Sequence, residues 1–339
     1  MAIPTGAIRY NTDSNKMECW IGTKWMQIAV SSPDLDGSQS NGGGRAIIAG
    51  GTTQSSDANG HKIRYVNIKT TGDGIDFGDM NNFYSYPAGS SSSTRGIIAG
   101  GSAPGTTYID VIQYVTIAST GNPIDFGDLT TATWGVNGVS NETRAVFGGG
   151  KASPGAEVNT IEYITMASLG DAKDFGDMSY TTAVSSNSSA QSSTRGILGG
   201  GTPGTTNTIE FITIATLGNS QDFGDYTIAT AREGRGSNSI RAVFGGGTRA
   251  EPTISGVIDY ITIASTGNAT DFGDLSVSRS DTAAVASPVR VVFGGGKTPS
   301  VSDVMDYVSI ATQGNAVDFG NLSEGRDHLA GCSNAHGGL

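Results

Sequence analysis

From Arg45 to its C-terminal end, the chain runs through one hydrophobic pattern six times. Each pass opens on an arginine, continues through three small or apolar residues and ends in glycines. The copies are Arg45 to Gly51, Arg95 to Gly101, Arg144 to Gly150, Arg195 to Gly201, Arg241 to Gly247 and Arg290 to Gly296. A stretch of variable length follows each copy. Next comes strict alternation, as in Ile258-Asp259-Tyr260-Ile261-Thr262-Ile263-Ala264, with the β-branched and aromatic residues of a half-buried strand. A glycine-containing turn, Gly267-Asn268 in this copy, leads into a short strand ending in Asp-Phe-Gly-Asp, with Asn321 in place of the last Asp in the sixth copy. A run of small residues, such as Thr282 to Ala286, then carries the chain to the next arginine. No long stretch has helical apolar spacing with good helix formers.

The pattern predicts four strands in every ~49 residues, the period of propeller blades. The glycine pair after the second strand and the aromatic residue in the third resemble kelch repeats. The tryptophan that kelch repeats place before the fourth strand is absent, and Asp-Phe-Gly stands near its place. The expected fold is therefore all-β: a kelch-like, six-bladed β-propeller with four-stranded blades. Its phase predicts how the ring closes. The first unit begins at its second strand, Arg45, and one first strand, Asp327 to Asn334, is left over at the end. Pairing these two segments completes the first blade and leaves no open edge.

Residues 1–30 break the pattern. Gly6–Asn11, Met17–Ile21 and Lys24–Ile28 read as three strands joined by turns. Three strands of this size bury too little surface to stand alone. They are expected to form a small β module for attachment or oligomerisation, with Ile8, Tyr10, Trp20 and Trp25 as contact residues. Residues 31–44, rich in Ser, Gly and Asp, read as a linker, and 45–339 as the propeller.

Spacing separates scaffold from candidate binding surface. From the third strand to the Asp of the fourth the distance is constant, as in Ile63 to Asp76 and Ile258 to Asp271. From the last glycine to the third strand it varies. In a four-stranded meander these second-to-third loops share a face with the blade-to-blade connections, and loops on a rigid scaffold commonly carry recognition. The candidates on that face are Phe83, Tyr84, Tyr86, Tyr108, Trp134, Tyr180 and Arg249. Their rings suit stacking on sugars; the competing role is to fill gaps between blades.

Composition narrows the chemistry. The net charge of −11 is ill suited to a phosphate backbone or an anionic membrane surface. Met1-Ala2-Ile3-Pro4 runs into polar sequence without a secretory leader, so synthesis in a cytoplasm is expected. Cys19 and Cys332 suggest no disulfide framework. His61, His328 and His336 lack metal-ligand spacing, and no Ser/His/Asp set is apparent. Neither a cofactor, nor a metal, nor catalysis is expected. Gly294-Gly295-Gly296-Lys297-Thr298 resembles the end of a phosphate loop, but Val291 stands where its first glycine belongs. Asp-Phe-Gly is expected to form the turn after the fourth strand, with Phe packed between blades and the acids capping the turn; calcium binding is the alternative. The recurring Arg is expected to be structural, with a ring of six around a channel as its alternative.

Gly6-Ala7-Ile8-Arg9-Tyr10-Asn11-Thr12, Asn15-Lys16-Met17-Glu18 and Gly22-Thr23-Lys24-Trp25 together resemble a short module of bacteriophage virion proteins, tail-fibre proteins among them. The glycine-rich repeats are similar to those of structural proteins of marine cyanophages. The resemblance implies a non-enzymatic virion protein, assembled in the host cytoplasm. Its N-terminal module would hold other virion proteins and its propeller would point outward to a host glycan or receptor. The alternatives are a capsid or tail decoration protein and a glycan-cleaving propeller.

Overall fold

A computed structural model describes residues 4, 6–11, 16–27, 44–53, 60–104, 107–183, 189–202, 204–249 and 253–339. The chain divides into two compact units, Met1–Ser40 and Asn41–Leu339. Of the expected linker 31–44, all but Gly44 lies outside the described residues. Among the described residues there is no helix; the chain is all-β and propeller-like.

In the first unit, Ile8–Asn11 pairs with Lys16–Trp20, which pairs with Trp25–Gln27, all antiparallel. The register puts Ile8, Cys19 and Met26 on one face. On the other, the Arg9 guanidinium lies 4.2 Å from the Trp25 ring centroid and pairs with Glu18 at 2.8 Å, while Trp20 and Trp25 stand 5.5 Å apart.

The second unit contains six four-stranded antiparallel sheets among the described residues. The first joins Ala330–Ser333, Arg45–Ala49, Lys62–Asn67 and Ile75–Asp79. The second runs Ala88–Ser91, Arg95–Ala103, Thr107–Thr116, Ile124–Asp128, and the third Asn137–Ser140, Arg144–Gly148, Thr160–Thr165, Lys173–Asp177. The fourth is Ala190–Gln191, Arg195–Gly199, Thr206–Thr213, Gln221–Thr230. The fifth is Gly234–Ser237, Arg241–Gly245, Val257–Thr262, Thr270–Asp274; the sixth is Ala283–Ala286, Arg290–Gly294, Val304–Ser309, Val317–Asn321. In the first sheet the late strand meets the early one in the register Ala330↔Ala49 to Ser333↔Ala46.

The first strands are built of small residues because they pack against one another. Ser140 Oγ donates to the Ser91 carbonyl at 2.9 Å, Ser91 Oγ to the Ser333 carbonyl at 2.7 Å, and Ser237 Oγ to the Gln191 carbonyl at 2.8 Å. Apolar cores fill the spaces between neighbouring sheets. Ile97, Ile112 and Phe126 of the second sheet meet Ala145, Phe147 and Ile164 of the third. Val285, Met305 and Phe319 of the sixth sheet meet Ala46, Ile48 and Val66 of the first in the same way.

Two recurrent motifs join each sheet to the next; the first departs from its expected place, and the second has the structural role expected of it. Asp-Phe-Gly is not a turn after the fourth strand but lies inside it, at a register shift. Its Phe is buried edge-on against the third-strand aromatic, as Phe126 is against Tyr114 at 6.0 Å. Its carbonyl accepts the amide of the next sheet's turn: Gly121 N to Phe77 O at 2.8 Å, and so on around to Gly72 N to Phe319 O at 2.8 Å. The capping also runs opposite to expectation. The turn side chain of the next sheet accepts from the backbone of the second acid, as Asn122 Oδ1 does from Asp79 N at 2.9 Å.

The recurring arginines are structural, as expected, each engaged in ring packing and hydrogen bonds. Each half-buried guanidinium lies over its own sheet's third-strand aromatic, 4.8 Å from the centroid for Arg144 and Tyr163. It donates to carbonyls of the next sheet. Arg144 reaches Ile214 at 3.0 Å and Ala215 at 2.9 Å; Arg290 of the sixth sheet reaches Ile68 at 3.2 Å and Lys69 at 2.9 Å of the first. A planar fork of donors on a flat cation suits stacking and double donation at once, which explains arginine at this position.

Candidate functional site

The connections that enter the first strands converge on the side of the variable loops. Just before each connection ends, it pairs with the start of a variable loop: Ser85 with Ser102, Ala231 with Thr248, Ser280 with Lys297, Thr52 with Asp327. Trp134 is held likewise, opposite Lys151 in a small sheet with Ala156–Glu157. The next residue in each case adopts left-handed backbone geometry: Tyr86 (φ 59°), Gly135 (φ 70°), Arg232 (φ 68°), Asp281 (φ 59°) and His328 (φ 56°). Amides and carbonyls of these residues link from sheet to sheet. Asp281 N donates to Arg232 O at 2.9 Å, His328 N to Asp281 O at 3.2 Å, Tyr86 N to His328 O at 3.1 Å and Gly135 N to Tyr86 O at 3.2 Å.

This backbone gathers a row of rings. Tyr86 lies between His328, at a centroid distance of 4.0 Å, and Trp134, at 4.6 Å; Tyr108 meets Trp134 edge-on at 6.4 Å. All four side chains are half-buried. Below the row, His328 Nε2 lies 3.2 Å from Asp281 Oδ1 and Nδ1 lies 3.1 Å from Asp327 Oδ1. Asp281 also accepts from Ser280 Oγ at 2.8 Å, and Asp327 from Thr52 Oγ1. Burial pulls the His328 imidazole pKa down, but Asp281 and then Asp327 override it and raise it to about 9. His328 is therefore an imidazolium at neutral pH. Burial, reinforced by Asp281 and Asp327, pushes the Tyr86 hydroxyl up, so it stays a neutral phenol.

The sequence candidates divide accordingly. Tyr86, Tyr108 and Trp134 come together in the row. Phe83 is half-buried beside Gly60, away from that row of ring contacts. Tyr84 is only 4% exposed and belongs to the core of the first and second sheets, so it presents no ring to a ligand. Tyr180 packs against the core of the third and fourth sheets, its hydroxyl toward the Thr208 carbonyl. Arg249 is turned inward, donating to Asp259 at 3.2 Å, because a buried carboxylate there needs a cation. In the small unit, Ile8 stands on the face opposite Trp20 and Trp25, and the Tyr10 side chain lies outside the described residues.

Arg232, Asp281, Asp327 and His328 were not among the sequence candidates. A signal for three of the four exists in the aligned repeat. Nine residues before the arginine stand Tyr86, Gly135, Ser186, Arg232 and Asp281, and His328 holds the same place in the strand that pairs with Arg45. The column mixes glycine with large functional side chains. Ser186 lies outside the described residues.

Buried polar residues at the centre of the third strands form another column. Thr130 N donates to Glu162 at 2.8 Å, Ser276 Oγ to Asp306 at 2.7 Å, and Arg279 pairs with Asp306 at 2.9 Å with both side chains fully buried. These carboxylates satisfy the chain leaving the preceding sheet. Among the described residues, no group of three or more His, Cys, Asp or Glu is placed to hold a metal ion. No protein-family model matches the chain, and no curated protein matches it.

Proposed function

We propose that residues 45–339 form a closed, six-bladed, kelch-like propeller in a non-enzymatic bacteriophage virion protein of the tail-fibre type. Residues 1–30 bind other virion proteins, and the variable-loop face of the propeller contacts the host surface. Support for closure comes from bonds that recur from each sheet to the next and from the sixth to the first, through Arg290 and Phe319. The observation that carries the adhesive role is the row of half-buried rings on the one side where loop length varies. A binding role is favoured over catalysis because His328, charged at neutral pH, is no base for the neighbouring Thr52 hydroxyl.

Gold-labelled antibody against residues 45–339, applied to purified particles, tests the position. Label at the tips of tail appendages is expected, with purified full-length protein competing for adsorption to host cells. Label spread over the capsid, with no competition, would replace this reading with a decoration role. New reducing ends in host polysaccharide after incubation would replace it with a glycan-cleaving one.

A further inference from the structure

Left-handed geometry costs a non-glycine residue roughly 1 kcal/mol or more, and residues held there tend to cluster at functional sites. Glycine occurs at this column in the third sheet, so the backbone tolerates it. Yet four sheets carry Tyr86, Arg232, Asp281 and His328 instead, and these four meet at one place. Strain repeated at equivalent positions, with a different functional side chain each time, needs a reason other than folding.

We propose that this hub is a binding site for an uncharged saccharide, with Tyr86, Trp134 and Tyr108 as its apolar lining. This rests on the adhesive reading above and names its ligand class. Three features select that class. The rings are half-buried and touch one another at inclined angles, 45° between Tyr86 and Trp134 and 76° between Trp134 and Tyr108, so what they leave exposed is a row of apolar edges that can meet the C–H groups of a sugar. The formal charges at the hub balance: imidazolium His328 and Arg232 against Asp281 and Asp327. That balance, within a chain of net charge −11, gives an anionic ligand no electrostatic advantage. The polar groups of the strip itself are neutral: the Tyr86 and Tyr108 hydroxyls and the Trp134 indole N–H, suited to sugar hydroxyls. Asp281 and Asp327 are positioning residues. They fix the His328 ring on which Tyr86 rests.

Trp134 is the one tryptophan outside the N-terminal module, the others being Trp20 and Trp25. In full-length protein carrying Trp20→Phe and Trp25→Phe, its fluorescence therefore reports this site alone. Neutral gluco-, manno- and galacto-oligosaccharides are titrated beside glucuronate and N-acetylneuraminate. A saturable change with a neutral oligosaccharide is expected, at least tenfold tighter than with either acid. Tyr86→Gly keeps the left-handed backbone geometry, as Gly135 does in the third sheet, and it should weaken that binding at least tenfold while the protein still melts cooperatively. Silence across the neutral panel, preference for the acids, or unchanged affinity in Tyr86→Gly would each overturn the site. Host-cell binding separates the two readings. Wild-type binding that Tyr86→Gly leaves intact defeats this site and keeps the adhesive role. Wild-type protein that binds the oligosaccharide but no cells keeps the site and defeats the adhesive role.

Discussion

Two histidines titrate in opposite directions, and each can be traced to its partners. His336, in the segment after the last strand, is buried. Its Nε2 donates to the Ser91 carbonyl at 2.8 Å, while Nδ1 accepts from Gln191 Nε2 at 2.6 Å and Gly338 N at 3.0 Å. A proton on Nδ1 would abolish both accepted bonds, and burial lowers the pKa from 6.5 to about 4. Its contribution to stability is therefore full above pH 6.5 and lost as pH falls through 4. His328 is raised to about 9, so its contribution is full below pH 6.5 and lost as pH rises through 9. Each shift corresponds to about 3 kcal/mol. Melts of wild type, His336→Gln and His328→Gln at pH 4, 7 and 9.5 test this. Acid should destabilise wild type more than His336→Gln, and alkali should destabilise it more than His328→Gln. Parallel curves would refute the assignments. Neither partner set was legible in the sequence, since Ser91, Gln191, Asp281 and His336 are scattered along the chain.

At the scale of strands, the six-fold recurrence of Asp-Phe-Gly has a steric cause. Gly127 sits at φ 146°, and a Cβ there would lie 2.5 Å from the carbonyl carbon of Gly170 in the next sheet. Gly170 has similar geometry, φ 144°, but open space around its Cβ position. Gly127→Ala should therefore cost roughly 2–4 kcal/mol and Gly170→Ala distinctly less, because only the first adds a clash to backbone strain. Urea melts that ranked them the other way would show that the close approach does not matter. The Phe-Gly pair was visible as a repeat, and its packing role for Phe was anticipated. Its place inside the strand was not. A bulge depends on which residue lies opposite on the partner strand, and a single strand's pattern does not contain that.

For the whole molecule, the last segment carries more than its length suggests. Ala330–Ser333 supplies the first strand of the first sheet. Arg326 donates to the Gly50 and Lys62 carbonyls at 2.9 Å each, and Gly337 N donates to Ser237 at 2.9 Å. Removing 323–339 exposes the edge at Arg45–Ala49 and leaves these groups unpaired. It should lower Tm by more than about 10 °C or prevent folding, whereas removing 1–30 should change it by only about 2 °C. Equal losses in calorimetry would contradict the proposed ring. The phase of the repeat alone was enough to anticipate this pairing.

The sequence by itself determined the repeating unit. Strand alternation, the arginine and the paired glycines all answer to local requirements: which face is buried, where a flat cation can stack, where the chain must turn. Those requirements recur in every copy and so leave a period. The hub was decided only by tertiary structure. Tyr86, Trp134, Arg232, Asp281 and His328 come from different copies; all but Trp134 hold one column of the repeat, but no residue type recurs there. Backbone bonds between sheets bring them together, fix their left-handed geometry and set the charge of His328. The column is legible as a position in the repeat, but residues that differ from copy to copy give no sign that they meet.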